Sequence, residues 1–296
     1  MDLKIPTPPN FNFKRTVLSH GWYGLLPFSL DSQKWELTRV IDLGAKQPPV
    51  TIVMSGRKSH VRVTTSRQLG NNEAARVLRD ARHILRLDDN LKAFYLSIAS
   101  DPEFSWIGTE GAGRLLRSPT VFEDLVKMIC TTNCSWALTV KMVTGLVENL
   151  GRESDEIAGG RRSFPTAEAM AAMPLQFFVD EVRAGYRAPY LKELAERVAS
   201  GELNVEEWLT SSLSTPELIK ELKSVKGVGN YAAENLLKLL GRYDGLALDS
   251  WTRARFFEIR NSGRKANDKK IARYYARFNE WRGLALWCDV TRDWLE

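Results

Sequence analysis

The chain has 296 residues, 44% of them hydrophobic and 26% charged, with a formal net charge of +6. These are ordinary values for a globular protein of one large domain or two, and no stretch approaches the roughly 18 uninterrupted apolar residues of a membrane span. The opening MDLKIPTPPNFNFKR lacks the apolar segment of a secretory signal, so an intracellular protein is expected.

In chain order, residues 1–70 are β-rich. WELTRVIDLG, PPVTIVMSG and SHVRVTTSRQ are short Val/Ile/Thr runs separated by turn residues, which predicts an antiparallel sheet of hairpins. From about Asn72 the pattern turns helical, beginning with NNEAARVLRDARHILRL behind an Asn cap. In SPTVFEDLVKMICTTNCSWALTVKMVTGLVENLG, Ser118 or Thr120 with Glu123 predicts a capping box, and Pro119 suits a first turn. GRESDEIAGGRRS (151–163) reads as a polar surface connector. FPTAEAMAAMP, APYLKELAERVASG, NVEEWLTSSL and STPELIKELKSV read as short capped helices. The fold class expected is α+β, a small N-terminal antiparallel sheet followed by an all-helical body.

Three cysteines, Cys130, Cys134 and Cys288, are too few for a disulfide framework. The three histidines, His20, His60 and His83, form no ligand pair with them, so buried thiols and no metal are expected.

The segment Val225-Lys226-Gly227-Val228-Gly229-Asn230-Tyr231 sets a Gly-x-Gly turn between two apolar helical patterns. Glycines there permit positive φ and close backbone approach, and the free amides opening the second helix favour a phosphate. A grip on backbone alone is independent of sequence. Twenty residues after Gly229 comes Asp249, where a new helix starts. A carboxylate there is a helix cap, a catalytic group, or both. Beside a sugar it would stabilise the positive charge that develops when an N-glycosidic bond breaks, and would orient water. Residues 251–296 hold eleven Lys/Arg against six Asp/Glu, either a polyanion footprint or a solvated helical face.

GVGNYAAENLL followed by LALDSWTRARF resembles the helix-hairpin-helix DNA glycosylase superfamily, which includes 8-oxoguanine, alkyl-base and endonuclease III-like enzymes. ICTTN is similar to the ICSSN of 8-oxoguanine glycosylases, GYRAPYLKELA to their GYRA segment, and WRGLALW to the final helix of alkyl-base glycosylases. The resemblance runs over roughly the whole chain. It implies an N-terminal domain over 1–95 and a two-lobed helical glycosylase domain over 96–296, with the helix-hairpin-helix at about 216–241.

Carried over by position, the resemblance makes Asp249 the catalytic carboxylate, and Gly227, Val228 and Gly229 the phosphate-gripping backbone, with Lys226 on the DNA side. Asn133 and Arg187 match contacts to the base left behind after flipping, and Tyr186 matches an intercalating wedge. A helix cap, a surface Arg and a core Tyr are the bland alternatives. Tyr231 stands where bifunctional enzymes have a nucleophilic Lys, so a monofunctional, water-using enzyme is expected; Lys226 and Lys238 do not match that position. Asn235 replaces the pocket Cys of the 8-oxoguanine branch, and Leu286 its Gln. Tyr231, Trp281 and Trp136 would form an aromatic pocket, which favours an alkylated purine over oxidised guanine. The expected partner is duplex DNA with a damaged base, the expected state a monomer, and no cofactor is required. The competing class is a non-catalytic DNA clamp built on the same hairpin.

Overall fold

A computed structural model describes residues 1–154 and 160–295 of the chain. The architecture is the α+β one expected: a five-stranded antiparallel sheet near the N-terminus, then a helical body. Strands β1 (Asp2–Pro6), β2 (Ser29–Asp31), β3 (Glu36–Ile41), β4 (Val50–Gly56) and β5 (His60–Thr65) lie in the order β1-β5-β4-β3-β2. The three Val/Ile/Thr runs are β3, β4 and β5. Leu37, Met54 and Val63 pair across them in one fully buried row, the apolar face that alternation produces. The two outer strands were not legible. β1 buries only Ile5 and β2 is three residues long, so neither shows an alternating pattern.

Helix α1 (Phe13–Val17) lies between β1 and β2, and α2 (Asn71–Ile84), α3 (Lys92–Ile98) and α4 (Trp106–Thr109) follow the sheet. Then come α5 (Val121–Thr131), α6 (Trp136–Leu150), α7 (Ala167–Ala171), α8 (Leu175–Asp180) and α9 (Ala188–Ala199). The site is built on α10 (Thr215–Lys223), α11 (Asn230–Leu239), α12 (Ser250–Arg260) and α14 (Arg282–Val290), with α13 (Asp268–Tyr275) between the last two. Among the described residues, no helix is long and apolar enough to cross a membrane. Glu153 and Arg162 bridge the base of the expected connector, and its residues 155–159 lie outside the described residues.

Two caps differ from expectation. Gly70, not an Asn, precedes α2, and the Glu73 carboxylate accepts its amide at 2.9 Å. Thr120 caps α5 by accepting from the Glu123 amide at 3.2 Å, yet Glu123 does not reach back. Its buried carboxylate instead accepts two hydrogen bonds from Arg39 on β3, at 2.5 and 3.0 Å, and lies 2.6 Å from Lys127. Burial alone would raise the Glu123 pKa, but the two cations outweigh it and hold the group below the usual range. This triad joins sheet to body, and a buried carboxylate requires such partners. Glu206 takes over the capping work, accepting from the Val121 and Phe122 amides at 2.9 and 3.0 Å. The N-terminus of α5 is thereby fixed, and with it the loop after its C-terminal end, where the site begins.

Candidate functional site

The hairpin joins α10 to α11. Gly227 has φ +88°, and a Cβ there would stand 2.8 Å from the Tyr190 ring, so conformation and space both require glycine. Gly229 differs from the expectation of positive φ: at φ −86° and ψ −173° it is ordinary extended backbone capping α11. A Cβ on Gly229 would meet nothing within 4 Å, so the face in front of it is open. The Val228 amide donates to Val225 O at 3.1 Å and closes the turn, so it is not free to hold a phosphate as expected. Its side chain is buried in the core. The donors left for an anion are the amides of Gly227, Gly229 and the first turn of α11. Lys226 is exposed beside them and pairs with Glu193 at 2.6 Å.

Asp249 is the N-cap of α12. Its Oδ1 accepts from the Thr252 amide at 2.7 Å and from the Thr252 hydroxyl at 2.8 Å, while its own amide donates to that hydroxyl at 2.8 Å. The segment delivering it is pinned to α11 from two consecutive turns. Glu234 accepts from the Ala247 amide, and Lys238 donates to Leu246 O at 3.1 Å. Asp249 and Tyr231 line two adjoining spaces. One is a groove of about 730 Å³ that also holds Asn133, Tyr186, Lys226, Gly227, Val228 and Gly229. The other is a cavity of about 590 Å³ walled by Met128, Thr131, Trp136, Trp251, Trp287 and Trp294, with His20 and Lys238. Residues 133, 186, 227 and 249, far apart in sequence, thus meet at one groove with a cavity opening behind the carboxylate.

The cavity is sized for a small planar ligand and mostly apolar-walled. Burial, reinforced by the charge and hydrogen bonding of Asp249, pushes the Tyr231 phenol up to about 12, so it is a neutral donor near pH 7. Burial drops His20 to about 4 and Lys238 to about 8, the latter opposed by the Glu234 and Asp249 charges. Trp136 forms part of the wall. Its ring lies over Gly21, where a Cβ would stand 2.4 Å from it.

Two expectations need correction. Trp281 is not in the cavity: it precedes α14 and stacks between Phe94 and Tyr243, centroids 5.4 and 5.5 Å away. The Gly283 amide donates to Tyr243 O at 2.7 Å, locking the start of α14 against that core and leaving Trp287 to face the cavity. Arg187 does not face the groove. It is 3% exposed, with its guanidinium donating to Thr132 O and stacked on Tyr186. The Tyr186 ring is 51% exposed, and the Asn133 amide donates to its hydroxyl at 3.4 Å. Asn133 itself holds φ +46°, a left-handed loop conformation that Asn tolerates.

Trp251, Trp287, Trp294, His20 and Lys238 line the cavity without having been singled out for it. Lys238 had a legible signal. Tyr231, Asn235 and Lys238 are spaced i, i+4, i+7, one face of α11.

No protein-family model matches the chain. It is 28% identical over 172 residues to an N-glycosylase/DNA lyase of Saccharomyces cerevisiae, covering 54% of this chain and 45% of that protein. The chain thus spans under half the length of that curated relative. Among solved structures, MBOgg1 in complex with a low-affinity DNA ligand superposes with a TM-score of 0.77 at 19% identity, over 100% of this chain and 96% of that one. The 3-methyladenine DNA-glycosylase of Archaeoglobus fulgidus gives 0.76 at 21% identity, over 99% of both chains. The ligand-free 8-oxoguanine glycosylase/lyase of Clostridium acetobutylicum gives 0.75 at 19%, over 98% of this chain and 95% of that one. The chain has the fold shared by these 8-oxoguanine and 3-methyladenine DNA glycosylases.

Proposed function

We propose that the protein is a monofunctional DNA glycosylase of base excision repair, acting as a monomer on duplex DNA. The observation that carries this reading is Asp249, which lines both the groove holding the hairpin and the cavity behind it. The amides of Gly227, Gly229 and α11 take a backbone phosphate. Tyr186 enters the stack beside Asn133, and the damaged nucleotide rotates into the aromatic cavity, at a cost of a few kcal/mol that is smallest for a poorly stacked base. The Asp249 carboxylate then faces the sugar, stabilises the positive charge growing there, and orients the attacking water. Tyr231, a neutral phenol, cannot form a Schiff base, which supports hydrolysis without strand cleavage.

The aromatic walls suit an alkylated purine, whose cationic ring is attracted to π faces. A specific observation favours the second reading, an oxidised guanine. The Lys238 ammonium shares the cavity, repels a cationic base and can donate to a carbonyl. The test is a panel of duplexes, each with one modified base, incubated with the protein and then treated with hot alkali, which cuts at abasic sites. Cleavage of one or more lesion duplexes supports the reading, and none at all leaves the non-catalytic clamp.

A further inference from the structure

We propose that Lys238 is a specificity-determining residue of the cavity, donating a hydrogen bond to the C8 carbonyl oxygen of an extruded 8-oxopurine and so favouring it over cationic alkylated purines, which lack that oxygen. This rests on the glycosylase reading above. Lys238 lies on the cavity face of α11 and is 2% exposed. An ammonium has three donors, and Lys238 uses one, to Leu246 O at 3.1 Å. Among the described residues its remaining donors have no protein acceptor. The Trp287 ring, its centroid 5.5 Å from Nζ, offers only a π face. A buried donor left without a partner is costly, so a ligand carbonyl in the cavity meets a standing demand.

The field in the cavity agrees. Burial keeps His20 neutral near pH 7, so the Lys238 ammonium and the Asp249 carboxylate are opposed charges in one space. The ammonium offsets part of the negative potential that Glu234 and Asp249 supply and that a cationic base would require. Lys238 remains largely protonated at pH 7, since burial lowers it only to about 8. The competing role is mechanical: through Leu246, Lys238 braces the segment that carries Asp249, a task indifferent to which base is bound.

The two roles separate in a comparison of kcat/KM for duplexes carrying 8-oxoguanine and 7-methylguanine, with wild type and Lys238→Met. The expected result is a fall of roughly 10- to 100-fold in the 8-oxoguanine to 7-methylguanine ratio, the range for losing a charged hydrogen bond. An unchanged ratio overturns the proposal, including the case in which both rates fall together as bracing alone requires. A second measurement needs no variant: wild type is compared on 8-oxoguanine and 8-methylguanine, which are of similar size and share the C6 carbonyl but differ in the C8 carbonyl. Excision at least 10-fold slower for the methyl analogue supports the proposal, and equal excision overturns it. If wild type releases no base from any duplex, the glycosylase reading fails and this falls with it. Release with indifferent ratios defeats the Lys238 assignment alone.

Discussion

Thr252 holds Asp249 by a single oxygen, its amide 2.7 Å and its hydroxyl 2.8 Å from Oδ1. Capping and chemistry are therefore compatible in one side chain, because the cap fixes the rotamer through Oδ1 alone. Replacing Thr252 by Val keeps the shape and removes the hydroxyl that both donates to and accepts from Asp249. The variant is expected to lose about 1 kcal/mol of stability and to release base roughly tenfold more slowly at unchanged DNA affinity. Thr252→Ser should restore both. Urea denaturation and single-turnover kinetics check the two parts, and a Thr252→Val rate equal to wild type would count against the positioning role.

Tyr186 and Arg187 are neighbours with opposite expected behaviour. Tyr186 is half exposed, so Tyr186→Ala should change stability by less than about 0.5 kcal/mol while weakening binding to a lesion duplex roughly tenfold. Arg187→Ala removes a buried donor from Thr132 O and should cost about 1–3 kcal/mol of stability. Thermal unfolding with fluorescence anisotropy separates them. Equal stability losses would contradict the assignment of one to the groove and the other to its support.

Much of this was legible in the residues. The Gly-x-Gly turn fixed the hairpin, and the Asp at a helix start gave the carboxylate, because backbone conformation and capping are local properties. The tryptophans were harder. Trp281 and Trp287 both belong to WRGLALW, and periodicity separates their faces without saying which neighbour each face meets. That depends on the close approach of Gly283 to the Tyr243–Gly245 segment, where a Cβ would stand 2.0 Å from Gly245 O. Arg187 was misread for a related reason: a charged residue in a turn reads as exposed until a buried carbonyl, here Thr132 O, claims it.

His20 gives a pH dependence. Burial lowers its folded pKa from 6.5 to about 4, and its Nε2–H donates to Leu116 O. Between those values the unfolded chain binds the extra proton, so stability rises with pH from about 4 to 6.5 and is lost as pH falls. The full span corresponds to about 3 kcal/mol. His20→Gln retains a donor for Leu116 O and should flatten the profile across that window in urea denaturation. Parallel profiles for the two proteins would contradict the linkage.

Lys238 is the lysine that lines the cavity, so it is the amine to watch for covalent chemistry. Hydrolysis by water predicts no borohydride-trapped adduct with a lesion duplex, and no strand cleavage before alkali. A trapped adduct that disappears in Lys238→Met would replace the monofunctional reading with an amine nucleophile.

The central claim is that the Asp249 carboxylate drives base release, and Asp249→Asn tests it most directly. Asn is also a good helix cap, so the start of α12 should survive. On the duplex that wild type processes best, the variant should release base about 100- to 1,000-fold more slowly. Its affinity for the same duplex should hold or tighten, because a negative charge beside the phosphates is gone. Base release by Asp249→Asn at the wild-type rate would contradict the account.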